Sequence, residues 1–163
     1  MKKFFVFVLF FLFCFGVGFA GTVPFRNGTV EIPNGFQPLP LPEVDKRGTS
    51  VEGAGYFNNN GDLIMLFSLS VGADVNLDSP IIQKLIYEKF QSTDVRTCVY
   101  AGKKILTAIS HNDGEVAYFG CFIKNGIFYS VHYSEKNPVT NKKIISPLGK
   151  QLVFSIINSF YER

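Results

Sequence analysis

The chain of 163 residues has no tryptophan, only two histidines and only three cysteines, and its 16 Lys and Arg exceed its 13 Asp and Glu by three. The two histidines form neither H-x-x-x-H nor H-E-x-x-H, which excludes the common helical zinc motifs. C-x-x-C is absent, and with it the usual dithiol redox motif. G-x-S-x-G is absent too, and Ser146 and Lys150 stand four apart where S-x-x-K needs three. No phosphate loop occurs, and Gly53-Ala54-Gly55 is too short for a dinucleotide loop. What is present is a 47% hydrophobic chain, which excludes disorder, low complexity and collagen-like structure, and a length that suits one domain.

The composition is uneven. After Lys2 and Lys3 an unbroken apolar run extends from Phe4 to Ala20, ending Gly18-Phe19-Ala20 before Gly21 with small residues at both positions a signal peptidase reads. We read 1–20 as a signal peptide and 21–163 as the mature domain, exported to the periplasm or secreted. The alternative is a membrane anchor over 4–20, a length that only just reaches the shortest spanning helix. A lipoprotein is excluded because Phe13 precedes Cys14 where a small side chain is needed. Without Lys2 and Lys3 the mature chain has 14 basic against 13 acidic side chains, so nucleic-acid binding has no support. Lys103-Lys104 and Lys142-Lys143 read as solvated turn lysines. Asn27-Gly28-Thr29 fits the glycosylation pattern, but the short Lys-Lys leader reads as bacterial.

From 21 to 51 the chain is Pro- and Gly-rich and extended, with Pro38-Leu39-Pro40-Leu41-Pro42 as a surface connector. Gly53 to Val71 reads as two strands turning at Asn58-Asn59-Asn60-Gly61, and the nearly continuous apolar stretch Leu63 to Leu69 as a central strand covered on both faces. A helix runs from Asp78 or Ser79 to about Phe90, with Pro80 in its first turn. Four strands between Asp94 and Tyr133 turn at Ala101-Gly102, Asn112-Asp113-Gly114 and Asn125-Gly126, an antiparallel meander. Ser146 caps a second helix whose stripe is Leu148, Leu152, Val153, Ile156, Ile157 and Phe160. The fold class is α+β, an antiparallel sheet with two helices packed on it.

The order and spacing of these elements resemble the PsbP-like superfamily, the fold of an extrinsic photosystem subunit that is also found in bacterial exported proteins. The resemblance spans the mature chain and is carried by Ile32-Pro33-Asn34-Gly35-Phe36, by the Gly102 to Ser110 strand after the first helix, and by a final helix ending Asn158-Ser159-Phe160. It implies an α/β/α sandwich and a binding or assembly accessory rather than an enzyme. It brings no catalytic residue, metal site or cofactor to this chain.

Hairpin loops set strand register. A two-residue loop at Ala101-Gly102 pairs Cys98 with Ile105, and a three-residue loop from Asn112 to Gly114 pairs Ile105 with Cys121. The cysteines then share a row two strands apart, roughly 9.5 Å, beyond the roughly 7 Å a disulfide tolerates. A bulge or another strand order would join them; otherwise they are separate small apolar residues. An oxidising compartment favours a Cys98–Cys121 disulfide. The same register places His111 and His132 on one face roughly 16 Å apart, too far for a shared metal, and His132 reads as a half-exposed strand histidine. Asp62, Asp74, Asp78 and Glu115 read as solvated acids at turns and strand ends.

Tyr118, Phe122, Tyr129 and Tyr133 collect on one face, either as helix-on-sheet core or as a concave aromatic surface for a lipid, a glycan or a protein. The expected function is that of a non-enzymatic accessory docking an envelope or periplasmic protein. The alternative is a carrier of a small apolar or amphiphilic ligand between sheet and helix. An enzyme comes third, with Cys98, Cys121, His111 and His132 as its only candidate residues. No cofactor or metal is expected.

Overall fold

A computed structural model describes residues 19–40, 51–112, 115–137, 139–140 and 142–162. The expected signal peptide, 1–20, lies outside the described residues except for its last two. So do 41–50 of the Pro-rich segment and the Asp113-Gly114 pair of one expected turn. The elements in chain order are β1 (Phe19–Phe25), β2 (Gly28–Pro33), β3 (Gln37–Leu39), β4 (Val51–Phe57), β5 (Leu63–Ser70), α1 (Pro80–Lys84, continued by a π-helical turn Leu85–Lys89), β6 (Thr93–Tyr100), β7 (Lys103–Asn112), β8 (Glu115–Lys124), β9 (Ile127–Lys136), β10 (Lys143–Ile144), α2 (Pro147–Ser159) and β11 (Tyr161–Glu162).

The main sheet runs β3-β4-β5-β9-β8-β7-β6 with every pair antiparallel, and β10 pairs with the end of β9. After β5 the chain crosses through α1 to the far edge and meanders back, so that β9 lands beside β5. This is the expected α+β class and the expected meander. Ala101 and Gly102, and Asn125 and Gly126, all carry positive φ. That is the geometry of the two-residue turns that pair Tyr100 with Lys103 and Lys124 with Ile127.

Alternation along the strands sends side chains to two faces, each with its own helix. On one, Leu152, Val153, Ile156 and Ile157 of α2 pack with Ile64, Leu66, Ile105, Phe122, Tyr129 and Val131. On the other, Ile82 and Ile86 of the first helix pack with Leu106, Ala108, Phe119, Cys121 and Phe128. The result is the expected α/β/α sandwich. Ser146 caps α2 as expected, its Oγ accepting from the Gly149 N–H at 3.0 Å while its hydroxyl donates to Glu135. Ser79 stands at the cap position of α1 but its side chain bonds Asn76 instead, accepting from the Asn76 N–H at 2.9 Å.

A small second sheet, β1-β2-β11, closes over the C-terminal end of α2, where the Glu31 N–H donates to Ser159 Oγ at 2.9 Å. It brings Phe25, Val30 and Ile32 into the α2 core. The extended N-terminal segment is therefore partly structural.

Four expectations are corrected by register and coverage. The β7–β8 turn is a two-residue loop, pairing Asn112 with Glu115 and Leu106 with Cys121. That one-residue shift flips all of β8 relative to β7. Cys98 consequently lies on the α2 face and Cys121 on the α1 face; both are free thiols, and the expected disulfide is not formed. The Asn58–Gly61 turn is wider than a tight hairpin, with Phe57 pairing Leu63 and only Gly61 at positive φ within it. The strand Leu63 to Leu69 is sealed on the α2 side alone, because its burial alternates buried and half-buried.

Candidate functional site

The four aromatics expected to share a face do share it: Tyr118 pairs with Tyr133 and Phe122 with Tyr129. That face lies under α2, however, and all four are buried. Phe122 stacks on Tyr129 at 5.1 Å between ring centroids, and Phe160 leans on Tyr129 at 4.4 Å. Burial, followed by the charges of Asp62 and Glu135, pushes the Tyr133 hydroxyl up from its ordinary range. A cavity of about 10 Å³ lies between the sheet, Ile156, Ile157 and Phe160. That is no more than one water needs. The four aromatics are thus side chains of a packed core rather than an open surface.

The α1 face is different. A helix is about 10 Å across and strands are spaced about 4.8 Å, so one helix covers about two strands. The first helix packs on β7 and β8 and reaches Phe128 of β9 and Leu69 of β5, and the outward side of β5 from Leu63 to Phe67 stays open. There Leu63, Met65 and Phe67 with Ser110, Ala117, His132, Ser134 and Lys143 line a groove of about 310 Å³. Its floor is His132, which is 8% exposed rather than half-exposed as the sequence suggested. The ring stacks on Phe119 at 4.7 Å and meets Phe90 and Phe67 edge-on at 4.8 and 5.3 Å. Its Nε2 bonds Ser130 Oγ at 3.2 Å. Burial among these rings lowers its pKa to about 3, so the imidazole is neutral. At the end of the groove stands Lys143, opposite Lys136 in the β9–β10 register, with its Nζ donating to the Gly61 carbonyl at 3.5 Å.

A second opening lies at the other end of the meander. The β7–β8 ladder stops at Leu106↔Cys121, three residues short of the ends of both strands, and a cavity of about 440 Å³ occupies the gap. Val75, Asn76 and Leu77, Gly102, Lys103 and Lys104, and Phe122, Ile123 and Lys124 line it. Lys103, expected to be solvated, is half-buried. Its Nζ donates to the Ile157 carbonyl at 3.0 Å and lies 5.5 Å from the Phe122 ring centroid. Burial, then the charge of Lys124, lowers its pKa. Lys104 is exposed and pairs with Asp78 at 2.6 Å.

The candidate catalytic residues do not converge. His111 is exposed and bonds Thr93 Oγ1 at 3.0 Å, on the opposite face from His132 by the same one-residue shift. Cys121 is fully buried, and burial pushes its thiol well up, away from the nucleophilic thiolate. Asp62, expected to be solvated, is buried as a turn brace: it accepts from Asn58 Nδ2 at 2.9 Å and from the Lys136 N–H at 3.0 Å. Asp74 and Asp78 are exposed as expected. Among the described residues no group of three His, Cys, Asp or Glu converges on a metal position, and no helix is long and apolar enough to cross a membrane.

No family model matches the sequence, and no curated protein matches it significantly. Among solved structures it is similar to the solution structure of cyanobacterial PsbP (CyanoP) from Synechocystis sp. PCC 6803, with a TM-score of 0.55 over 92% of this chain and 97% of that one at 12% identity. The fold is PsbP-like, as the sequence resemblance implied.

Proposed function

We propose that this chain is an exported, non-enzymatic accessory protein that docks an envelope protein through the half of its sheet that α1 leaves open. One observation carries the reading. Along β5 the inward row, Ile64 and Leu66, is sealed at 0 and 1% exposure, while Leu63, Met65 and Phe67 of the outward row stand half-buried with no helix of the described residues packed on them. An apolar strand row left open beside a floor of buried rings is surface for a partner. Lys143 at the groove's end favours a partner that presents an apolar ridge with a carboxylate beside it. A PsbP-like fold supports the accessory role, and the apolar N-terminal run supports export with cleavage after Ala20.

Hydrogen exchange of the protein, alone and with saturating envelope extract of its host, tests the reading. Slowed exchange over 63–69 and 130–136, lost in Met65→Glu, is the expected result. Exchange unchanged by extract, or protection confined to α1 or β6, would contradict it. An intact mass corresponding to 21–163 is expected for the protein recovered from the host envelope.

A further inference from the structure

We propose that the cleft where β7 and β8 part is a binding site for a single-chain amphiphile with an anionic carboxylate head. Lys103 and Lys124 hold the head, and the apolar body lies on Val75 and Ile123. The site is separate from the docking face, at the opposite end of the meander.

Three observations meet there. The first is the backbone. Two ten-residue strands that could pair to their ends stop pairing at Leu106↔Cys121, and the parted ends enclose about 440 Å³, within the range of small-molecule pockets. The second is the lining, which is apolar in its body, with Val75, Leu77, Phe122 and Ile123, and basic at its rim, with Lys103, Lys104 and Lys124. That division matches an amphiphile rather than an inorganic ion or a neutral hydrocarbon. The third is charge. Asp78 answers Lys104, whereas Lys103 meets a carbonyl oxygen and a ring face. One of the three N–H groups of Lys103 is used on Ile157, which leaves donors for a carboxylate. Burial, and after it the charge of Lys124, disfavours the charge on Lys103, a cost that a bound anion would offset.

The test is an amide-shift titration of the ¹⁵N-labelled protein, as its host produces it, with sodium dodecanoate below its micelle concentration. Saturable shifts are expected at 75–77, 102–104 and 122–124. Dodecyltrimethylammonium, of equal chain length and opposite charge, is expected to give no saturable shift there. Lys124→Gln and Lys103→Gln should each weaken dodecanoate binding by about tenfold or more. Lys124→Gln is decisive if loss of Lys103 also loosens the end of α2, because an unchanged thermal midpoint then shows an intact fold. The proposal is overturned by absent shifts, by shifts centred on Met65 and His132, by equal binding of the cationic amphiphile, or by undiminished affinity in Lys124→Gln. Association with phosphatidylglycerol vesicles without binding of free dodecanoate would overturn it in favour of a lipid-surface contact.

Discussion

His132 shows how one buried residue ties stability to pH. Its ring is packed by Phe67, Phe90 and Phe119 and held by Ser130, and its pKa falls from 6.5 to about 3. Above pH 6.5 both folded and unfolded chains carry it neutral and it adds no pH dependence. As pH falls below 6.5 the unfolded chain takes up a proton that the folded chain refuses until about pH 3, so stability is lost across that window. Relative to His132→Phe, the wild type should lose up to roughly 1.4 kcal/mol per pH unit there, measured by urea denaturation. Parallel profiles for the two proteins would contradict the buried neutral assignment. The cysteines give a second residue-scale prediction. In the native protein a thiol reagent should label the half-buried Cys98 and spare Cys121, with both reacting after denaturation and no dependence of the melting temperature on reductant. A mass lower by two hydrogens would restore the disulfide.

At the scale of elements, the contact of α2 with the sheet depends on two glycines. A Cβ on Gly120 would sit 2.7 Å from Ile157 Cδ1, and one on Gly149 would sit 2.6 Å from Tyr133 Cε1. The Tyr133 ring is buried and has little room to give. Gly149→Ala should therefore destabilise by about 1–3 kcal/mol through overpacking, even though alanine favours a helix by about 1 kcal/mol; thermal denaturation reads the sign. Much of this element structure was legible in the sequence because its signals are local. Pro80, and Pro147 after Ser146, mark helix starts; Ala101-Gly102 and Asn125-Gly126 mark two-residue turns; and the shared face of Tyr118, Phe122, Tyr129 and Tyr133 follows from the second of those turns. The β7–β8 register was not legible, because Asn112-Asp113-Gly114 allows loops of two or three residues and the choice reverses a strand. The helix cover was not legible either: the apolar run Leu63 to Leu69 looks the same whether one helix or two lie over it. The lysine-rimmed cleft joins three segments distant in sequence, and neither pattern nor spacing connects them.

At the scale of the molecule, two helices of unequal reach make the two faces unequal. α2, helped by the β1-β2-β11 sheet, seals its face, whereas the first helix leaves the β5 side of the other face open. The central claim is that this open half-sheet, and not a catalytic centre, carries the function. Site-specific photocrosslinking in the host reads it most directly, with a benzophenone side chain placed in turn at Phe67, at the exposed Tyr87 of the first helix and at the exposed Val99 of β6. The account predicts one discrete crosslinked protein from position 67 that is lost when Lys143→Glu is added, and none from positions 87 and 99. Crosslinks from 87 or 99 with none from 67 would contradict it.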